Sequence, residues 1–112
     1  MKLTHEEYDQ ISVFSLAGDF DADQSDQFRT TAEQCMHDSV RDFVIDMTDM
    51  EFIDSKGLES LLWLQEQCSD KLGQVRLAGV STSVKTILEM TRLAARFDRH
   101  DQVEGAIKSL RI

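Results

Sequence analysis

Residues 52–61 read FIDSKGLESL, and within them Asp54, Ser55, Lys56 and Gly57 set a carboxylate, a hydroxyl, an ammonium group and a flexible turn residue side by side. Two apolar residues precede this group and a helix-like pattern follows it. A turn of this kind suits four uses. The hydroxyl can attack as a nucleophile, the turn can bind a phosphate, the hydroxyl can accept a phosphate covalently, or the serine can cap the helix.

A hydrolytic serine sits in G-x-S-x-G on a sharp strand-to-helix turn. Here Phe52 or Ile53 stands where the first glycine would help, and only Gly57 matches. A triad also needs a histidine base. His5 lies in an N-terminal strand, His37 near a helix end and His100 in a loop, and each reads as a surface histidine. Metal binding has less support, because the three histidines and two cysteines show no ligand spacing along the chain. Of the acids Asp42, Asp46, Asp49 and Asp54, most read as solvated. Asp46 and Asp54, near one sheet edge, are the pair a weak Mg²⁺ site would use. Neither GxxxxGK[ST] nor GxGxxG occurs. No metal and no cofactor are expected.

A covalent phosphate on Ser55 fits the physics of the turn. It would carry a charge of roughly −1.5 to −2 at pH 7. The helix dipole and the free N–H groups of the first turn would accommodate that charge. Gly57 would let the turn close, Lys56 adds a cation, and Asp54 repels. Serine is also a good N-cap, so the residues alone leave a phosphoacceptor and a bare cap both open.

The elements that must position this turn follow from periodicity. Residues 2–7 and 11–17 read as two strands around a turn at Tyr8, Asp9 and Gln10, an antiparallel hairpin that Gly18 ends. Asp21 and Gln24 have capping-box spacing at the start of a first helix, whose face is Phe28, Ala32, Cys35 and Met36. DFVIDM, residues 42–47, reads as a central buried strand. The helix after the DSKG turn carries Leu58, Leu61, Leu62 and Gln65 on one stripe, with Leu64 and Cys68 alongside and Trp63 off it. QVRLAGV, residues 74–80, is the next strand. A third helix starts at residues 81–83 and turns Val84, Ile87 and Leu88 inward. Phe97 belongs to a short last strand, and Asp101 and Glu104 have capping-box spacing before a last helix with Val103, Ala106, Ile107 and Leu110 on one face. Strands alternating with helices imply an α/β fold. The expected sheet is mixed but mostly parallel, with about four to five strands, an N-terminal antiparallel hairpin and about four helices.

With 112 residues, one domain spanning 1–112 is expected, long enough for its own core. The net charge of −9, with no basic run, argues against nucleic-acid binding and suits a basic protein partner. No apolar stretch has the length of a membrane span, and the N-terminus lacks a signal-peptide core, so a cytoplasmic protein is expected. Cys35 and Cys68 form no CxxC pair and read as buried, reduced thiols.

FVIDMTDMEFIDSKGLESLL resembles the signature of the STAS domain of anti-sigma factor antagonists: an apolar strand ending in an acid, a short turn, an apolar pair, then D-S-x-G-L and an apolar helix. ISVFSLAGDFDAD and GQVRLAGVSTSVKTILEMTRL are similar to flanking elements of that family, so the resemblance spans nearly the whole chain. It implies a binding protein rather than an enzyme. Ser55 would be phosphorylated by a partner that is both anti-sigma factor and serine kinase, and restored by a PP2C-type phosphatase. Unphosphorylated, the domain would sequester the kinase and free a sigma factor. Asp54 and Gly57 would be the serine's conformational and recognition neighbours, and the partner surface would comprise Asp54, Ser55, Lys56, Gly57, Glu59 and Trp63, although core packing is an alternative role for Trp63. Two residues depart from the family pattern. Lys56 replaces a small or hydroxyl residue, and Arg92 replaces a glycine after the third helix, where a side chain resists the left-handed cap. The alternative within the family is a subunit of a stress-signalling scaffold or of a lipid ABC transporter, without a phospho-switch.

Overall fold

The structure is a computed structural model and describes residues 2–111. Strands β1 (Lys2–Tyr8) and β2 (Ile11–Phe20) form an antiparallel hairpin whose turn places Asp9 at φ 59°. Then follow α1 (Ala22–His37), β3 (Asp42–Asp46), β4 (Met50–Ile53), α2 (Ser55–Asp70), β5 (Val75–Ala78), α3 (Thr82–Met90), a 3₁₀ turn (Ala94–Arg96), β6 (Asp98–His100) and α4 (Val103–Leu110). The sheet order is β1-β2-β3-β5-β6, with β4 added to β2, and every pairing except the hairpin is parallel. The expected mixed, mostly parallel α/β architecture and its four α-helices are present.

Four details differ from the sequence expectation. The sheet has six strands rather than four to five, because Met50–Ile53 pairs with β2 as an additional strand. β2 does not stop at Gly18. The glycine takes φ 90°, the register shifts between Gly18 and Asp19, and the strand continues to pair Asp19 with Phe52 and Phe20 with Ile53 of β4. Such a bulge bends a strand without ending it. The final strand begins at Asp98, and Phe97 is a buried residue just before it. α4 starts at Val103 after Gln102, with no side-chain cap, so the Asp101–Glu104 capping box does not form.

β2 is buried on both faces because both faces are covered. Phe14 and Leu16 belong to the larger core with Phe20, Phe28, Phe43, Ile45, Leu61, Leu64, Val84 and Leu88. Ile11 and Val13 face the other way, toward Val44, Ala78 and Ala106, where α4 closes the sheet. Each fully buried Phe or Leu contributes about 1.5–3 kcal/mol. Phe14 meets Phe28 and Phe43 edge to face at centroid distances of 5.8 and 5.3 Å, a favoured arrangement for aromatic pairs. Phe28, Ala32 and Cys35 form the buried face of α1 as the spacing requires. On α2 the buried stripe is Leu58, Leu61, Leu64 and Cys68, while Leu62 lies on its flank. Cys35 and Cys68 are buried free thiols.

Candidate functional site

β2 and β4 run parallel, so their C-terminal ends point the same way and each delivers the chain directly into a helix. Asp21 caps α1, its side chain accepting from the Asp23 N–H at 3.0 Å. Asp54 caps α2 from an extended conformation, its Oδ1 accepting from the Gly57 N–H at 2.9 Å. The Asp54 N–H donates to the Phe20 carbonyl at 3.2 Å, which ties the two helix starts together.

The cap therefore belongs to Asp54. Ser55 is the first residue of α2, exposed, with its hydroxyl outside the cap. Of the two roles that the residues alone left open for Ser55, the bare cap is thereby taken by Asp54. An α-helix starts with four N–H groups that have no intrahelical partner. Phe20 and the Asp54 carboxylate take those of Asp54 and Gly57. Among the described residues, those of Ser55 and Lys56 have no protein acceptor, and they lie at the positive end of the helix dipole.

Gly57 is required for a different reason from the one its sequence context suggests. It lies within the helix and does not need a left-handed conformation. A Cβ there would stand 2.5 Å from the Phe20 carbonyl oxygen and 2.7 Å from Ile53 Cγ1. The glycine lets α2 start pressed against β2 and β4.

Ser55, Glu59 and Trp63 recur every four residues and so share one side of α2. Ser55 and Glu59 are exposed. Lys56 pairs with Glu59 at 3.3 Å, so the cation beside the hydroxyl is already engaged. Trp63 is half-buried, packs against the core, and carries the Arg29 guanidinium of α1 at 5.2 Å from its ring. All six residues singled out in the sequence thus lie on the first two and a half turns of α2 and its cap. The sequence reading missed Phe52, which is 48% exposed and sits two residues before Asp54. A strand residue with its side chain turned outward next to a site is visible only once β4 is known.

Asp46 and Asp54 do not join in a site. Asp46 accepts from the Thr48 N–H and hydroxyl, at 3.1 and 2.6 Å, while Asp54 is committed to its cap. Burial pushes the Cys35 thiol up to about 11 and the Cys68 thiol up to about 12, with the Asp42 carboxylate adding to the latter. Among the described residues, no helix is long and apolar enough to cross a membrane. Arg92 does adopt the left-handed conformation, at φ 63°, so α3 ends with the backbone geometry that a glycine would provide.

The STAS domain family model matches residues 2–106. The chain belongs to the STAS domain family. Several solved structures superpose closely. The anti-sigma factor antagonist SpoIIAA in its unphosphorylated form shares 20% identity over 98% of this chain and 96% of its own, with a TM-score of 0.87. An anti-sigma factor antagonist from Mycobacterium paratuberculosis shares 22% over 99% and 94%, with a TM-score of 0.86. A sulfate transporter family protein from Wolinella succinogenes shares 18% over 93% and 87%, with a TM-score of 0.81. The same fold thus occurs in regulators and in a transporter family.

Proposed function

We propose that this STAS domain is an anti-sigma factor antagonist, a non-enzymatic binding protein switched by phosphorylation of Ser55. The observation that carries the reading is the division of labour at the start of α2. Asp54 makes the cap, which leaves the exposed Ser55 hydroxyl available to a kinase without loss of the helix start. SpoIIAA, similar across the whole fold, has been solved in a phosphorylated form as well as an unphosphorylated one.

The docking surface on this reading comprises Asp54, Ser55, Lys56, Gly57, Glu59 and Trp63, with Phe52 adding an exposed apolar side chain beside them. The partner is an anti-sigma factor serine kinase, a PP2C-type phosphatase resets the serine, and the exchange takes place in the cytoplasm. The phosphoryl group would meet two free N–H groups, but also the carboxylates of Asp54 and Glu59, with Lys56 already paired. Its charge is therefore poorly compensated within this chain, and burial against a partner would cost several kcal/mol.

Ser55→Ala is expected to retain partner binding and to lose phosphate incorporation. Ser55→Asp is expected to weaken binding by at least about tenfold, or about 1.4 kcal/mol. Calorimetric titration of both variants against the kinase captured by Ser55→Ala from the native cell tests this. Wild-type affinity in Ser55→Asp, with no phosphate on Ser55 in the cell, would remove the switch. Capture of a transporter subunit would instead assign the domain to the role suggested by its likeness to the Wolinella protein.

A further inference from the structure

His5 and Glu7 are two residues apart on β1, so the alternation of a strand places both on one face. Their register partners on β2 are Phe14 and Ser12. Cys35, in the last turns of α1, rises to meet them from the core side. The three donor atoms form a compact triangle. His5 Nδ1 lies 3.0 Å from Glu7 Oε1, Cys35 Sγ lies 3.4 Å from Glu7 Oε1, and Cys35 Sγ lies 3.9 Å from His5 Nδ1. Among the described residues, this is the one group of three His, Cys or acidic side chains whose donor atoms come this close.

The spacing suits a tetrahedral zinc ion. Bonds of about 2.3 Å to sulfur and about 2.0–2.2 Å to imidazole nitrogen and carboxylate oxygen give tetrahedral edges of about 3.4–3.6 Å. Each observed edge is within about half an ångström of that range. Nitrogen, sulfur and oxygen are all ordinary zinc donors, and imidazole with thiolate favours zinc over the hard cations. The side chains of His5 and Glu7 are 38% and 43% exposed, so an ion can enter and a water can take the fourth position from the solvent side. On the core side, Cys35 is buried. The His5 ring packs 5.7 Å from that of Phe14, and the Ser12 hydroxyl lies 3.9 Å from the sulfur.

We infer that His5, Glu7 and Cys35 form a divalent zinc site with one open coordination position. On binding, the Cys35 S–H bond breaks, its proton passes to solvent, and a Zn–S bond forms. Thiolate and carboxylate then balance the dication. The ion would fasten the edge strand β1 to the C-terminal part of α1. That region lies about 20 Å along α1 from the helix starts that hold Ser55, so the metal site is separate from the phosphorylation site.

The test uses the full chain, stripped with a chelator and titrated with Zn²⁺ and separately with Co²⁺. Expected are one zinc per chain, a higher thermal midpoint with zinc, and a thiolate-to-cobalt charge-transfer band that Cys35→Ser abolishes. Cys35 lies in the core, so its variant risks the fold, and His5→Ala and Glu7→Gln on the exposed strand carry the test independently. Each should weaken zinc binding by at least about tenfold, the lower end of what the loss of even an outer-shell contact costs. His100→Ala serves as the control and should bind as wild type does. Equal zinc affinity in wild type, His5→Ala and Glu7→Gln, or a cobalt spectrum without a thiolate band, would overturn the site and leave only a hydrogen-bonded trio.

Discussion

A Cβ on Gly57 would stand 2.5 Å from a backbone oxygen, and a backbone oxygen cannot swing aside like a side-chain end. Gly57→Ala should therefore destabilise the fold by about 1–3 kcal/mol through overpacking, even though alanine gains up to about 1 kcal/mol of helix propensity over glycine. Urea unfolding checks this, and a variant as stable as wild type would mean that α2 can slide away from β2 freely. Arg92 presents the opposite case. It holds φ 63° with a side chain attached, and its N–H donates to the Glu89 carbonyl at 3.1 Å. A left-handed L-residue costs roughly 1–2 kcal/mol, part of which glycine gives back through its freer unfolded chain. Arg92→Gly should raise stability by roughly 0.5–1 kcal/mol, read from the same denaturation curves. In the sequence, Arg92 stood out for its identity, yet the left-handed cap forms all the same, with the Leu93 N–H donating to the Leu88 carbonyl at 2.8 Å. Ser55 was legible as a place for a phosphate, but whether it was also the cap stayed open in the sequence. Asp and Ser are nearly equal as caps, and two adjacent good caps do not reveal which of them is extended and which is helical.

At the scale of elements, long periodic segments were legible and short ones were not. α1 and α2 each have sixteen residues, and their apolar spacing declares a face. β4 has four residues with buried ends and an exposed middle, Met50 and Ile53 against Glu51 and Phe52, which matches neither alternation nor a continuous apolar run. It is a strand because the bulge at Gly18 turns the end of β2 toward it. The His5–Glu7–Cys35 triangle was illegible for a related reason. Its third member lies 28 residues from Glu7 in the chain, and only the packing of α1 over the hairpin brings it there. α2 carries a pH consequence through Cys68, on its buried face. The folded thiol lies at about 12 against 9.0 when free. The native state thus holds that proton more tightly than the unfolded chain. The associated stability is fully present below pH 9 and is lost as pH rises toward 12. Cys68→Ala should be less stable than wild type near neutrality, and the gap should narrow progressively above pH 9. Unfolding curves across that range measure the gap, and a constant gap would mean that the thiol titrates alike in both states.

The whole molecule carries a net charge of −9 on a body of about 32 × 27 × 23 Å. The Debye length at physiological ionic strength is about 8 Å, so a partner approaching α2 responds to the charges around that helix start more than to the total. Glu59 is one turn from Ser55, and Asp70, at the far end of the same helix, is roughly 22 Å away. Both are exposed carboxylates on one rigid element, and removal of either changes the net charge equally. If a basic partner docks at the start of α2, the two substitutions must differ. Glu59→Gln should slow association by about two- to fivefold at physiological salt, whereas Asp70→Asn should leave it unchanged. Below about 0.01 M salt the Debye length reaches about 30 Å, longer than the helix, and Asp70→Asn should then slow association too. Stopped-flow association rates at the two ionic strengths separate these cases. Equal effects of both variants at physiological salt would place the docking surface away from Ser55, whatever the phosphorylation state of the serine.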